Sequence, residues 1–486
     1  MIRERRGRRK VCGSQLYGDM NERKYFLETK LSKLFMKTAV PGGIAMLVGS
    51  LYMIFDTLFV GKLVGTTALA ALGLGIPLVI VNFAISDMIA VGSSVPISIA
   101  LGRGEEDKAN NYFTCACISI VLTGIAMGAI LFGVAPAFMR WMGASGALAE
   151  QGVSYIRIYA MFSPVTTMGF ALDNYLRISG KNKVSMALNI ASSLGTVLFE
   201  FILIFVLKWG IRGAALGACI PMSVTSLVGF CLFKDGKLQL KPVRPRFEWA
   251  MLASFVKNGL PAFMANVSGR IVSIVMNFML LAKGGEAATA VYGVLMTVGA
   301  TIEQVLYGVL DSQQPAIGYN FGAEKFERAK KLAGYGAVCA AVISLVGMTL
   351  ILAIPKWLAI PFLEDLSLVP MAVRALRLYA ATFAFQWFSR SVQKLFSALE
   401  KAGAAITIAT SYTFVFPLVM IGALNSLGLD GLWLNSPTAA LLTAILASAL
   451  LLVRWKRLFV VPTEKQKGQE PADEESEGAE EKIGNC

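Results

Sequence analysis

Four carboxylates lie inside long apolar segments in the first half of the sequence. They are Asp56, Asp87, Asp173 and Glu200, and within those segments no basic residue accompanies them away from the ends. Several carboxylates in a low-dielectric interior cannot all stay ionised, because desolvation and mutual repulsion favour proton uptake or a bound cation. We therefore predict a coupling site for H⁺ or Na⁺. The alternative is that these acids only form hydrogen bonds between helices.

The apolar segments of the second half carry charges of both signs instead. They hold Arg270, Glu303, Asp311 and Arg390. Ionisable residues in such segments are costly and usually face a bundle interior or a wet cavity. The balanced set predicts either side chains that contact a substrate in a cavity or structural ion pairs.

Polar residues recur at helical spacing in four of these segments, which places each set on one helix face. The sets are Asn189, Ser193, Thr196 and Glu200; Asn266, Arg270, Ser273 and Asn277; Glu303, Tyr307 and Asp311; and Thr382, Gln386, Arg390 and Gln393. One such stripe can simply hold two helices together. Four stripes across both halves favour a hydrated cavity lined by Asn266, Asn277 and Gln386 as neutral residues.

The composition indicates a membrane protein. Of the 486 residues, 56% are hydrophobic and 16% are charged, whereas a soluble domain carries roughly 25% charged residues. The chain has a net charge of +14, seven cysteines without metal-ligand spacing, and no histidine. Soluble enzymes, nucleic-acid binders and disulfide scaffolds are therefore disfavoured, and any proton chemistry falls mainly on carboxylates. The expected partners are a lipid bilayer and a small substrate, with no nucleic acid and no metal.

A bilayer-crossing helix needs about 20 mainly apolar residues, and by that length the sequence predicts twelve spans. The predicted fold is all-α, with twelve transmembrane helices in two six-helix lobes. The spans cover residues 35–63, 69–101, 112–139, 153–176, 184–207, 214–233, 255–282, 290–320, 333–352, 375–395, 404–424 and 434–453. The predicted regions are a basic N-terminal segment (1–34), a first lobe (35–233), a linker (234–254), a second lobe (255–455) and a disordered acidic tail (456–486).

Lys and Arg are concentrated in the loops after even-numbered spans, in the linker and near the N-terminus. Because loops rich in these residues stay in the cytoplasm, both termini and the linker are predicted to be cytoplasmic, in the inner (plasma) membrane.

The two halves repeat at an offset of 220 residues. The offset pairs Lys37, Pro41, Gly65, Ala68, Gly73, Gly102 and Ala109 with Lys257, Pro261, Gly285, Ala288, Gly293, Gly322 and Ala329. Six spans per half leave the halves in the same orientation, so this is a parallel internal repeat about an axis along the membrane normal. Pro41 in the first span is either a static kink or a hinge that responds to the charge of Asp56.

These motifs resemble the multidrug and toxic compound extrusion (MATE) family, in its bacterial type. The likeness covers residues 30–455 and is carried by AVPGGIAMLVGSLYMIFDTLFVGKLVG, VGSSVPISIALGRGEEDKA, NYLRISGKNKVSMALNI, GIRGAALGACI and QPAIGYNFGAEKFERAKK. The resemblance implies a secondary active exporter that exchanges H⁺ or Na⁺ for organic, often cationic, drugs or metabolites by alternating access. It implies no cofactor beyond the coupling ion.

Within this resemblance, Asp56 and Pro41 match the family's first-span carboxylate and proline. Other positions depart from it: Glu200 replaces a usual aspartate, Thr196 and Asp173 replace asparagines, and Ala218 replaces a threonine. Sodium needs several oxygen ligands at fixed distances, whereas a proton needs only a shared carboxylate pair. The loss of neutral oxygens and the gain of carboxylates therefore favour a proton as the coupling ion at Asp56, Glu200, Asp173, Asp87 and Thr196.

Two other functions stay open. A flippase of lipid-linked saccharides from the same superfamily would show extra spans and a strongly basic cavity, whereas Arg270 and Arg390 are the only cavity-facing bases expected here. A membrane-embedded enzyme is disfavoured because the sequence has no histidine, P-loop or GxSxG motif. We expect a transporter that acts as a monomer on small organic cations.

Overall fold

The structure is a computed structural model that describes residues 22–59, 64–235, 238–363 and 365–458. The basic residues before position 22 and the acidic tail after position 458 lie outside the described residues, as does the side chain of Asp56. Helices account for nearly all of the described chain, and no β-strand occurs in it. Long helices suit a bilayer, because every backbone hydrogen bond is made within the helix. Their mostly apolar side chains suit contact with lipid.

Seven helices make up the N-terminal part. They are α1 (Glu22–Glu28), α2 (Leu31–Phe59), α3 (Thr66–Arg103), α4 (Glu106–Trp141), α5 (Gly146–Ile178), α6 (Asn182–Glu200) and α7 (Gly210–Lys234). A π-helical turn, Phe201–Val206, extends α6. Helices α2 to α7 form the first lobe, and α1 is a short helix in front of it.

Nine helices follow the linker and form the second lobe. They are α8 (Trp249–Gly322), α9 (Phe326–Ala353), α10 (Pro355–Ala359), α11 (Val369–Ala380), α12 (Thr382–Ala398), α13 (Ala402–Thr410), α14 (Phe416–Ala423), α15 (Gly428–Trp433) and α16 (Asn435–Leu458). A π-helical turn, Ser411–Val415, joins α13 to α14.

The helices account for twelve spans. In the described residues nine helices are long and apolar enough to cross a membrane, and the bent pair α11–α12 makes a tenth span with a 40° break. Helix α8 supplies two spans, because Gly285 interrupts it with a φ of 63°. Helix α5 has 33 residues and is also long enough to cross, although it is more polar. The prediction of a twelve-helix, two-lobe membrane protein is confirmed.

The backbone conformation shows the repeat at positions where the residue types of the two halves differ. Residues with positive φ recur at the same offset of 220: Gly65 with Gly285, Gly104 with Glu324, Gly180 with Glu400, and Lys208 with Gly428. A left-handed backbone is uncommon for residues other than glycine. Its survival at Glu324, Glu400 and Lys208 shows that equivalent turns are kept in both lobes even where the glycine is lost.

Reciprocal glycine contacts join the two lobes where α3 and α8 end together. A Cβ atom added at Gly102 would lie 2.2 Å from the Tyr319 carbonyl oxygen, and one added at Gly322 would lie 2.2 Å from that of Ile99. Residues 99 and 102 are the repeat equivalents of residues 319 and 322. The contact therefore maps onto itself when the lobes are exchanged, as a parallel repeat requires.

One end of the molecule, which we call the linker face, is closed by α1 and by linker residues 238–248. The Phe26 ring stacks on Tyr319 with centroids 4.8 Å apart, and the Phe26 carbonyl accepts hydrogen bonds from Asn320 and Arg328. The Gln239 backbone N–H donates to Glu22 at 3.0 Å. Burial raises the pKa of the Glu22 carboxyl above its ordinary value, although Lys181 at 3.7 Å opposes this effect.

Among the described residues, glycines near the opposite end of the molecule make no comparable contacts between the lobes. A Cβ atom added at Gly65, Gly73, Gly285 or Gly293 would meet no heavy atom of the described chain within 4 Å. These two repeat pairs lie near the α2–α3 connection and the break in α8. The lobes therefore make their closest contacts toward the linker face.

Candidate functional site

Asp173 in α5 is held in an ion pair within the first lobe. Its carboxylate lies 2.5 Å from the Arg177 guanidinium, one helical turn later, and accepts hydrogen bonds from Ser185 at 2.5 Å and Asn189 at 2.6 Å. The expectation that the first-lobe acids lack a basic partner is therefore wrong for Asp173. Residues four apart share a helix face, so the Arg177 side chain reaches back from the end of α5.

Glu200 and Thr196 lie deep in the first lobe. Both are buried, and Glu200 has no exposed surface at the junction of α6 with its π-helical extension. Helix α7 approaches so closely that a Cβ atom added at Gly217 would lie 2.6 Å from the Glu200 Cγ atom. The Thr196 hydroxyl donates to the Ser192 carbonyl at 2.9 Å. The predicted polar face of α6 thus has two environments: Asn189 contacts the Asp173 ion pair, whereas Thr196 and Glu200 lie at this interior position.

Asp87 in α3 lies at the boundary between the lobes. The Asn266 side-chain amide of α8, in the other lobe, approaches its carboxylate at 3.5 Å. Its charged neighbours are Asp311 and Lys394 of the second lobe and Asp173 of the first. Asp87 makes no ion pair in the part of the chain that the structure describes. The structure therefore brings together residues that the sequence placed in separate predicted sites.

Two parallel ion pairs connect α8 and α12 in the second lobe. The Arg390 guanidinium lies 2.6 Å from the Glu303 carboxylate, and the Lys394 ammonium pairs with the Asp311 carboxylate. Arg390 is almost fully buried, whereas Glu303 and Asp311 are partly exposed. Glu303, Asp311 and Arg390 therefore form ion pairs, whereas Arg270 forms none among the described residues, and contact of these side chains with a substrate stays a prediction.

Aromatic rings enclose the Arg390 guanidinium. Its Cζ atom lies 4.1 Å from the centroid of Tyr412 and 5.0 Å from that of Tyr307. The Tyr412 hydroxyl donates to Gln386 at 2.8 Å, so this predicted lining residue is buried in the same network. Cation–π contacts of this kind add to the attraction of Glu303 when water is excluded.

The remaining predicted residues are more peripheral. Arg270 and Asn266 are exposed one turn apart on α8, and Asn277 is partly exposed two turns further on. Pro41 is buried within α2, which is helical on both sides of it. The next residue, Gly42, forms the crossing with α8, because an added Cβ would lie 2.3 Å from the Gly308 carbonyl oxygen. The predicted hinge thus lies beside an interlobe contact.

Sequence reasoning missed Lys394 and Tyr412. Lys394 follows Arg390 by four residues, as Asp311 follows Glu303 by eight, so helical spacing alone contained the signal for the second ion pair. Tyr412 gave no comparable signal, because its contact with Arg390 depends on how α12 packs beside the π-helical turn.

A repeated six-span lobe with charges gathered at its interface defines a membrane transporter rather than an enzyme. The MatE family model matches residues 41–202 and 261–425, one stretch in each lobe. The chain therefore belongs to the MatE family, which is the MATE family that its motifs resemble.

The chain is similar to two staphylococcal proteins over almost its whole length. It is 27% identical over 445 residues to the multidrug export protein MepA of Staphylococcus haemolyticus, covering 90% of this chain and 96% of that protein. It is 26% identical over 458 residues to MepA of Staphylococcus aureus (strain NCTC 8325), covering 91% and 98%.

Solved structures share the fold. An outward-facing multidrug resistance transporter of the MATE family superposes with a TM-score of 0.86 at 21% identity, covering 90% of this chain and 99% of that one. A MOP superfamily transporter from Pyrococcus furiosus gives a TM-score of 0.85 at 21% identity, covering 91% and 99%. At this identity the likeness concerns the fold alone.

Proposed function

We propose that this protein is a secondary active exporter that exchanges H⁺ for organic, mainly cationic, compounds by alternating access. One observation carries the proposal: Asp87 of the first lobe lies against Asn266 of the second and interacts with charges of both lobes, and among the described residues the closest glycine contacts between the lobes lie toward the linker face. A ligand held there can be released to either side if the lobes rock about the site. The MepA relatives, which are multidrug export proteins, support export of several small molecules.

We assign coupling to the carboxylates of the first lobe. Asp56 and Glu200 are the primary candidates, with Thr196 beside Glu200 and with Asp173 and Asp87 toward the interface. The complete burial of Glu200 against α7 supports a proton rather than sodium, because a buried acid can be neutralised by one proton without a shell of ligands. Sodium remains the alternative ion, and no other cofactor is proposed.

The orientation of the protein in the membrane follows from the distribution of its Lys and Arg residues. We assign the linker face, with both termini, to the cytoplasmic side of the plasma membrane, because the basic residues of the linker and of the even loops lie there. With this orientation, the closest contacts between the lobes lie on the cytoplasmic side.

The flippase alternative receives no support from the ion pairs. A pyrophosphate-linked lipid would require accessible positive charge in the cavity. Arg390 and Lys394 are instead neutralised by Glu303 and Asp311, which leaves Arg270 as the one exposed base among the predicted cavity residues, whereas the Asp87 carboxylate has no ion pair in the described chain. A cationic substrate fits that charge better.

The decisive experiment measures dye export in everted membrane vesicles that contain the wild type, Asp56→Asn or the control Asp365→Asn. Asp365 is an exposed acid outside the spans, so its variant should export normally. We expect Asp56→Asn to be inserted and folded but to lose at least about 90% of ΔpH-driven export. Wild-type export by Asp56→Asn would overturn its coupling role.

The coupling ion is tested by imposing either a pH gradient or a Na⁺ gradient on proteoliposomes. We expect export to follow the pH gradient and to be unchanged by Na⁺. Export driven by Na⁺ alone would replace the proton by sodium while leaving the antiport mechanism in place.

A further inference from the structure

Three charged side chains from three helices interact electrostatically across the boundary between the lobes. Asp87 comes from α3 of the first lobe, Asp311 from α8 and Lys394 from α12 of the second. Lys394 pairs with Asp311, and both are charged neighbours of Asp87. The side chains of Asp311 and Lys394 remain 29% and 13% exposed, so a molecule between the lobes can compete for this pair.

The charged side chains around Asp87 do not cancel completely. Asp173 is balanced by Arg177, Glu303 by Arg390, and Asp311 by Lys394. Asp87 has only the distant Asn266 amide, at 3.5 Å, among its hydrogen-bond donors in the described chain. One carboxylate is thus left to attract one positive charge.

Arg270 does not supply the missing charge. It lies one turn beyond Asn266 on α8 and is not among the charged neighbours of Asp87.

A substrate with two positive charges needs a further anion, and the Asp311 carboxylate that interacts with Asp87 is already paired with Lys394. Lysine carries a compact ammonium on a flexible stem. The Lys394 ammonium also lies 5.3 Å from the Tyr307 ring centroid, so it has a second favourable contact when Asp311 is engaged elsewhere. A bound dication must displace this ammonium, whereas a monocation at Asp87 need not.

We propose that Lys394 is a tethered competing cation that occupies Asp311 and thereby restricts the interlobe site to organic cations with a single positive charge, received by Asp87. The proposal rests on the proposed function, because it concerns the same interlobe path. It makes Lys394 a specificity-determining residue that acts through Asp311 and need not touch a monovalent substrate.

The test compares a matched pair of probes at pH 8: tetraphenylphosphonium, which carries one charge, and hexane-1,6-bis(triphenylphosphonium), which carries two. Binding to purified wild type, Lys394→Met, Lys394→Arg and Asp311→Asn/Lys394→Met is measured by equilibrium dialysis. We expect Lys394→Met to tighten dication binding about tenfold relative to the monocation, because Asp311 becomes available. Lys394→Arg should keep the wild-type ratio, and the double variant should lose the gain.

Two controls keep the outcome decisive. Lys108→Gln removes an ion-paired lysine outside the interlobe region and should leave both affinities unchanged. Asp87→Asn should weaken the monocation at least about tenfold. An unchanged ratio in folded Lys394→Met, or a gain that persists in the double variant, would overturn the proposal. If the proposed export function is wrong, the wild type will show no gradient-driven transport. That result is independent of the ratio of dication to monocation affinity.

Discussion

Arg390 illustrates how a single residue is kept charged inside the second lobe. A guanidinium removed from water loses several kcal/mol of solvation free energy, which must be regained from nearby groups. Glu303 supplies the opposite charge, and the guanidinium Cζ lies 5.0 Å from the ring centroid of Tyr307 and 4.1 Å from that of Tyr412. The arrangement suits arginine better than lysine, because only the planar group can stack between aromatic rings.

Replacing Arg390 tests this arrangement at the residue scale. We expect Arg390→Gln to lower the free energy of unfolding by about 1–3 kcal/mol, because Glu303 keeps its charge but loses its partner; the partial exposure of Glu303 limits the loss. The double variant Arg390→Gln/Glu303→Gln should regain part of it. Thermal unfolding in detergent gives the comparison, and Arg374→Gln, from an exposed pair with Asp430, should have almost no effect. Equal losses in the single and double variants would contradict this account.

At the scale of the helices, α3 and α8 pack closely because glycines without side chains lie at their crossing. A Cβ atom added at Gly92 would lie 1.8 Å from the Phe255 carbonyl oxygen, and one at Gly259 would lie 1.8 Å from that of Met88. The two backbones therefore touch directly, as small residues allow in membrane helix pairs. This crossing joins the lobes on the side of the linker face.

A methyl group at this crossing should be poorly tolerated. We expect Gly92→Ala to destabilise the protein by roughly 1–3 kcal/mol, because backbone atoms cannot move aside as side chains do. Gly334→Ala in α9 is the matched control, since its added Cβ meets nothing within 4 Å. That variant should be neutral or stabilising by about 0.5–1 kcal/mol, as expected for glycine in a helix interior. Similar unfolding temperatures for the two variants would show that the crossing can relax.

At the scale of the whole molecule, the two lobes have equivalent structures and make their closest contacts at the linker face. The reciprocal contacts at Gly102 and Gly322 and the strap formed by α1 over Tyr319 close the linker face. Transport by alternating access requires these contacts to open while the opposite face closes. The described state is therefore one end of the proposed cycle.

A disulfide across the linker face tests that cycle directly. The Ser98 Cβ lies 3.2 Å from a Cβ built at Gly318, close to the separation that a disulfide requires. In a background without the seven native cysteines, Ser98→Cys/Gly318→Cys should stop dye export on oxidation and regain it on reduction. The single-cysteine variants should be insensitive to oxidant. Continued export by the fully oxidised double variant would rule out opening at this face.

Hydropathy, spacing and the repeat predicted much of this fold, but they predicted little of the charge pairing. The pairing of Asp173 with Arg177 was within reach, because both residues lie on one helix face. The electrostatic interaction of Asp87 with Asp311 and Lys394 was not, since α3 approaches α8 and α12 only when the lobes assemble. The polar stripes were placed correctly on helices, yet Gln386 and Glu200 proved to be buried rather than exposed to a cavity.

The sequence by itself determined that the protein lies in a membrane, how many spans it has and that its two lobes are equivalent. These properties depend on local hydrophobicity and on a repeat length, both of which are read along the chain. Only the tertiary structure decided which charges neutralise one another, which carboxylate has no ion pair among the described residues and where the lobes make their closest contacts. Those properties depend on distances between helices of different lobes, and electrostatic energy follows distance in space rather than separation in sequence.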